Sequence, residues 1–236
     1  TNLDGTLLDG VLVDTFGLVG VAPLRYAGYN VVTWDPRGEY FSGGVLQIDH
    51  PEFEGRDVQA IISWLSTQPE VLLDDEATFD PRIGMVGVSY GGGIQLVTAA
   101  MDKRVDAIVP TIAWHGLDTS LYKATAPKTS WSILLTAVLA ATVARFNPQV
   151  VGAVITGALT GQLPQDYVDF LDARSPGRLV DNITVPTLLI QGTVDTLFSL
   201  QEADATALAL IANGVPTKVV WFCGGHGVCM NNLVDF

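Results

Sequence analysis

Short apolar runs of strand length alternate along this chain with segments whose apolar residues recur at helical spacing. Asn30-Val31-Val32-Thr33-Trp34-Asp35 reads as a buried strand closed by the turn Pro36-Arg37-Gly38, and residues 82–88, 105–110, 184–191 and 217–222 read the same way. Helices are predicted over 54–67, where Val58, Ile61, Ile62 and Leu65 share a face, over the small-residue stretch 91–101, and around 199–213. Parallel neighbours need crossover helices, so this alternation predicts an α/β fold with a mostly parallel central sheet covered by helices on both faces. Residues 114–180 break the rhythm with two apolar stretches, 132–144 and 150–158, and no evident strand. They are expected to form a helical cap inserted between core segments 1–113 and 181–236. Ordinary packing of these helices into the main core is the alternative.

Composition narrows the classes. Of 236 residues, 48% are apolar and 16% charged, which suits a sizeable core and excludes a disordered chain. A net charge of −13 argues against nucleic acid or an anionic membrane as partner. Two cysteines cannot build a disulfide-rich scaffold, and no run of 18 uncharged apolar residues marks a spanning helix. The chain begins at Thr1 rather than Met, as expected of a processed product or a piece of a longer one.

Gly87-Val88-Ser89-Tyr90-Gly91 fits G-x-S-x-G at the point where a predicted strand meets a glycine-rich helix. Such a tight turn strains the serine backbone and leaves little room for flanking side chains. It also aims the Tyr90 N–H where an oxyanion would form. A serine hydroxyl needs a base. Of the three histidines, His50 lies in a loop before the central strands and His115 suits a structural role. His226, in Cys223-Gly224-Gly225-His226-Gly227 after the last predicted strand, can reach over the sheet's C-terminal edge. Asp195, on the loop after the penultimate strand, completes the order Ser, Asp, His; Asp181 and Asp204 are worse placed.

With these residues in view the sequence resembles the α/β-hydrolase superfamily, and within it the X-prolyl dipeptidyl-peptidase and cocaine-esterase-like serine hydrolases. The distinctive pieces are Trp34-Asp35-Pro36-Arg37-Gly38, Glu54-Gly55-Arg56-Asp57 leading to Trp64-Leu65, Gln68-Pro69, and Gly84 through Gly92. The resemblance implies cleavage of an ester or amide through an acyl-enzyme on Ser89 beneath a helical cap; an acyl-enzyme splits the reaction into two easier steps, so no metal or organic cofactor is expected. It also implies a second oxyanion donor from the loop after the first strand, here Leu8-Asp9-Gly10-Val11, with Gly10 or Val11 the candidate. Where such proteins generally place glycine after the Asp-Pro-Arg-Gly turn, this chain carries Glu39-Tyr40-Phe41.

Cys223 and Cys229 bracket His226 as C-x₂-H-x₂-C, which a disulfide, two free thiols or a metal site would each satisfy; a disulfide is favoured and would place the protein outside the cytoplasm. The apolar 114–180 segment suggests a small ester or peptide substrate with a lipophilic portion. Two rival classes remain: a binding or scaffold protein on the same fold, and an acyltransferase using the same three residues.

Overall fold

The structure is a computed structural model that describes residues 20–227. Four strands form one parallel sheet in chain order, β3 (Ile83–Val88), β4 (Val105–Thr111), β7 (Thr187–Gly192) and β8 (Thr217–Phe222). Ahead of them come α1 (Val21–Tyr26), α2 (Arg56–Leu65) and the short antiparallel pair β1 (Leu73–Asp75) and β2 (Asp80–Pro81). The crossovers are α3 (Tyr90–Met101) from β3 to β4 and α8 (Leu200–Ala212) from β7 to β8. The longest connection, from β4 to β7, holds α4 (Leu117–Leu121), the pair β5 (Tyr122–Lys123) and β6 (Ala126–Pro127), α5 (Thr129–Ala141), α6 (Pro148–Thr160) and α7 (Gln165–Asp172). This is a mostly parallel sheet flanked by helices.

Two apolar clusters hold the elements together. Val58 and Ile62 of α2, Leu96 and Val97 of α3, Ile108 of β4, Leu189 of β7 and Leu210 of α8 share the larger one. The smaller one sits between the 114–180 segment and the loop after β7, and joins Trp114, Leu117, Val150, Phe170, Leu171, Leu197 and Phe198. Burial of aliphatic side chains of this size contributes roughly 1.5–3 kcal/mol each before entropy is counted.

The predicted strand at 30–35 has no regular secondary structure and no ladder partner among the described residues. Its apolar pattern met the requirement for a strand, but pairing depends on a neighbour that the pattern does not name. The turn that follows is fixed by side chains from the distinctive motifs: Arg37 donates to Asp57 through Nε at 2.8 Å and through a terminal nitrogen at 2.6 Å. Glu54, buried at the entrance to α2, accepts from Gln47 N at 2.6 Å and His50 N at 3.1 Å. The 37–47 loop then docks on the residues after α5, with Arg145 N donating to Gly38 O and Leu46 N to Arg145 O. Tyr40 and Phe41 are exposed, Phe41 fully, and need no room inside, whereas Glu39 is buried.

Candidate active site

Ser89 stands between the end of β3 and the start of α3 with φ 57° and ψ −113°, a conformation that non-glycine residues rarely adopt. The turn is held by Ser89 N donating to Thr111 O at 2.8 Å, and by Gly92 N and Gly93 N donating to Ser89 O. Crowding falls on particular glycines. A Cβ at Gly87 would lie 2.6 Å from Gly91 O, and one at Gly92 would lie 2.9 Å from Ala113 Cβ. A Cβ at Gly91, by contrast, would meet nothing within 4 Å beyond its chain neighbours and its own helix backbone. The steric demand expected for the last glycine of the pentapeptide therefore belongs to its successor.

His226 bridges the other two candidates. Its Nε2 lies 2.7 Å from Ser89 Oγ and its Nδ1 lies 2.7 Å from Asp195 Oδ2. The loop after β8 can make this approach because Gly225 has φ 128° and packs where a Cβ would come within 2.6 Å of Asp195 Cβ. Asp195 is 6% exposed and accepts at both oxygens. Leu197 N and Phe198 N donate to Oδ1 at 2.9 Å each, while His226 N at 3.1 Å and Gln191 Nε2 at 3.4 Å reach Oδ2. A buried carboxylate so fully supplied with donors is held in one orientation.

Aromatic rings pack the imidazole. Phe198 meets it edge-on at 5.3 Å and Trp131, from α5, does so at 6.0 Å. Trp114 lies 5.0 Å from Phe198, and the Tyr90 ring 6.3 Å from Trp114. The Tyr90 hydroxyl accepts from Asp49 N at 3.2 Å, which anchors the residue whose N–H heads α3. That N–H makes no turn or loop hydrogen bond among the described residues.

A buried polar group lies behind this wall. Asp49, 1% exposed, has φ 52°, and neither carboxylate oxygen finds a side-chain or backbone partner within hydrogen-bond geometry. Burial pushes its pKa well above the usual carboxylate range, with Glu54 and Glu39 adding repulsion. Arg174, 4% exposed, crosses from the end of α7 to Gln47 O at 2.5 Å and Phe170 O at 2.6 Å. Burial lowers its pKa to about 10, still leaving it charged at neutral pH.

The other sequence candidates fall elsewhere. His50 caps the π-turn Pro51–Gly55, its Nδ1 accepting from Glu52 N at 3.1 Å. His115 sits 3.1 Å from Thr206 Oγ1, beside Glu202, which accepts from the backbone N–H of His115 and of Gly116. Gly10 and Cys229 lie outside the described residues, and with them the second oxyanion donor and the Cys223–Cys229 pairing. No three His, Cys, Asp or Glu side chains gather as a metal would require among the described residues. No helix among them is long and apolar enough to cross a membrane. Phe198, Trp131, Gln191 and Asp49 carried no signal of their own in the sequence, because each reaches the site from a segment that no motif marks.

The sheet order and the serine at a strand–helix elbow define an α/β-hydrolase. An esterase of Pyrococcus furiosus superposes with a TM-score of 0.62 at 18% identity, over 94% of this chain and 72% of that one. The acylaminoacyl peptidase of Pyrococcus horikoshii does so with a TM-score of 0.54 at 19% identity, over 81% and 27%. The X-Pro dipeptidyl-peptidase (S15) family profile matches residues 21–226, and the chain belongs to that family. A Bacillus cereus protein named "Putative Xaa-Pro dipeptidyl-peptidase" is 25% identical over 217 residues, 87% of this chain and 37% of that protein. An uncharacterized 31.7 kDa protein of Escherichia coli is 34% identical over 88 residues, 37% of this chain and 28% of that protein. The chain thus spans about a third of the length of these curated relatives.

Proposed function

We propose that this protein is a serine hydrolase that cleaves an ester or amide through an acyl-enzyme on Ser89, with residues 114–180 as the cap over its site. The observation that carries the reading is the imidazole of His226, which lies 2.7 Å from Ser89 Oγ on one side and 2.7 Å from Asp195 Oδ2 on the other. In this mechanism neutral His226 takes the Ser89 proton through Nε2 as Oγ attacks the carbonyl carbon. Asp195 keeps the hydrogen on Nδ1, so that Nε2 is free to accept, and it stabilises the imidazolium that forms. The tetrahedral oxyanion meets the Tyr90 N–H, where the α3 dipole favours negative charge. His226 then returns the proton to the leaving oxygen or nitrogen, and water repeats the sequence in reverse roles to free the acid.

Membership of the X-Pro dipeptidyl-peptidase family directs the substrate search to prolyl amides, and the apolar side chains that α5 leaves half exposed, Ile133, Leu134 and Val138, suit a lipophilic acyl portion. A fluorophosphonate probe read by intact mass tests the reading. One adduct is expected on the wild type and none on Ser89→Ala, followed by turnover in a screen of p-nitrophenyl acyl esters and prolyl amides. Well-folded wild-type protein that takes up no probe refutes an activated Ser89.

A further inference from the structure

Beside the proposed catalytic residues lies an open cleft of about 850 Å³, walled by Lys128, Thr129, Ser130, Trp131, Ile133 and Thr196. Two of these residues join it to the site. Trp131 packs edge-on against His226 at 6.0 Å, and its Nε1 donates to the hydroxyl of Thr196, the neighbour of Asp195, at 3.2 Å. The cleft therefore lies on the imidazole side of Ser89. The departing oxygen or nitrogen must sit within reach of His226 Nε2 to receive its proton, so the leaving half of a substrate extends toward that side.

The charge of the lining runs against that of the chain. The protein carries a net −13, yet the one charged residue lining the cleft is a lysine. Lys128 spends one N–H on Leu197 O at 2.5 Å and makes no ion pair among the described residues. Lys123, which donates to Ser199 and Gln201, adds positive potential at Lys128, and the carboxylates of Glu202 and Asp195 act on it in the opposite sense. Lys128 also precedes the first turn of α5, which contains no acid to offset the helix dipole.

We propose that this cleft holds the leaving half of the substrate and favours one that carries a carboxylate, with Lys128 as the residue that sets the preference. The class is a short peptide with a free C terminus, or an ester whose alcohol bears a carboxylate. The inference rests on the serine-hydrolase reading above. The bond broken is the acyl C–O or C–N bond; the Ser89 proton leaves on the departing atom by way of His226, and the carboxylate stays ionised throughout. Burial of Lys128 pushes its pKa down, and the carboxylate of a bound leaving group would oppose that shift.

The test compares kcat/KM for two esters that share the acyl group turned over fastest in the screen. One is the ester of 4-hydroxybenzoate and the other that of its methyl ester. Intrinsic reactivity cancels when their ratio in the wild type is divided by the ratio in Lys128→Met. That quotient is expected at about 2- to 5-fold, the upper part of the range for one exposed ion pair. Lys128→Arg should keep the preference, and raising salt from about 0.05 to 0.5 M should erode it in the wild type itself. Tripeptides with a free or amidated C terminus repeat the comparison for amides. A preference seen with both substrate types assigns the selection to the carboxylate as such, and one confined to the esters assigns it to carboxylated alcohols. A ratio that neither Lys128→Met nor salt changes overturns the inference while the hydrolase reading stands. Wild-type protein that takes no fluorophosphonate and turns over no ester removes both.

Discussion

Replacing Asp195 by Asn tests the proposed triad with little change of shape, and the structure predicts which way the new amide turns. Oδ1 accepts two backbone N–H groups at 2.9 Å, from Leu197 and Phe198, while Oδ2 faces His226 Nδ1, His226 N and the Gln191 amide. If the Asn oxygen takes the Oδ2 position, its NH₂ opposes two fixed, buried donors. If it takes the Oδ1 position, the NH₂ opposes one backbone donor at 3.1 Å and a side-chain amide at 3.4 Å. In the second arrangement Gln191 Nε2 keeps its 2.7 Å bond to Phe198 O, so one backbone donor is stranded instead of two, a difference on the order of 1–3 kcal/mol. The amide then donates to Nδ1, which places the ring hydrogen on Nε2 and leaves no lone pair to accept the Ser89 proton. A triad disabled through its tautomer loses on the order of 10⁴ in turnover. The expected fall in kcat is about 10³–10⁴, equivalent to roughly 4–5.5 kcal/mol at 1.36 kcal/mol per decade. The assay is steady-state kinetics on the best p-nitrophenyl ester, with thermal melts run in parallel. Asp195→Ala is a poorer probe because it orphans the Leu197, Phe198 and His226 N–H groups together. Asp195→Asn that melts near the wild type and keeps more than a tenth of its kcat would refute the argument.

Within the elbow, Gly92→Ala is expected to cost about 1–3 kcal/mol by driving a methyl into Ala113 and Thr111, whereas Gly91→Ala should leave the melting temperature within a few degrees of the wild type. Equal destabilisation by the two would contradict the packing described for α3. Asp49→Asn keeps a residue type tolerant of φ 52° and removes a charge that burial disfavours. Because burial raises the folded pKa of Asp49 above its unfolded value, the native state holds the extra proton. Wild-type stability from this group is full below about pH 4 and is lost as pH rises toward the folded value. The variant's advantage in urea melts should therefore grow from near zero at pH 4 to about 1–3 kcal/mol at pH 8, and an advantage that shrinks with pH would be inconsistent with a buried, unpartnered carboxyl.

What could be read from the sequence was what local pattern controls. Residues 82–88 and 217–222 alternate or run apolar over strand length, and they are strands β3 and β8, displaced by one residue at most. The apolar run 184–191 starts at Thr184, yet β7 begins at Thr187, after Pro186, a residue that has no N–H to give a ladder. The segment 30–35 is also rich in apolar residues and has no partner among the described residues, since a strand's own residues do not specify its neighbour. Ser89, Asp195 and His226 could be singled out for the same local reason: each follows a predicted strand, and strand ends in a parallel sheet converge on one edge.

Long-range contacts obey no such rule, and they supply much of what surrounds the three residues. Trp131 lies at the start of an apolar helix, and nothing in its neighbourhood announces that its ring packs on His226 or that Lys128 before it lines a cleft. Arg174 and Gln47 meet across 127 residues of chain. The motifs that carried the family resemblance turn out to do two different jobs. The G-x-S-x-G segment strains the serine into position, whereas Arg37, Glu54 and Asp57 fix the 37–50 loop whose far end delivers Asp49 N to the Tyr90 hydroxyl. That loop is coupled to the candidate oxyanion donor through Tyr90 alone among these bonds. Tyr90→Phe, which deletes the hydroxyl and keeps the N–H, would therefore separate support of the loop from the chemistry at Ser89.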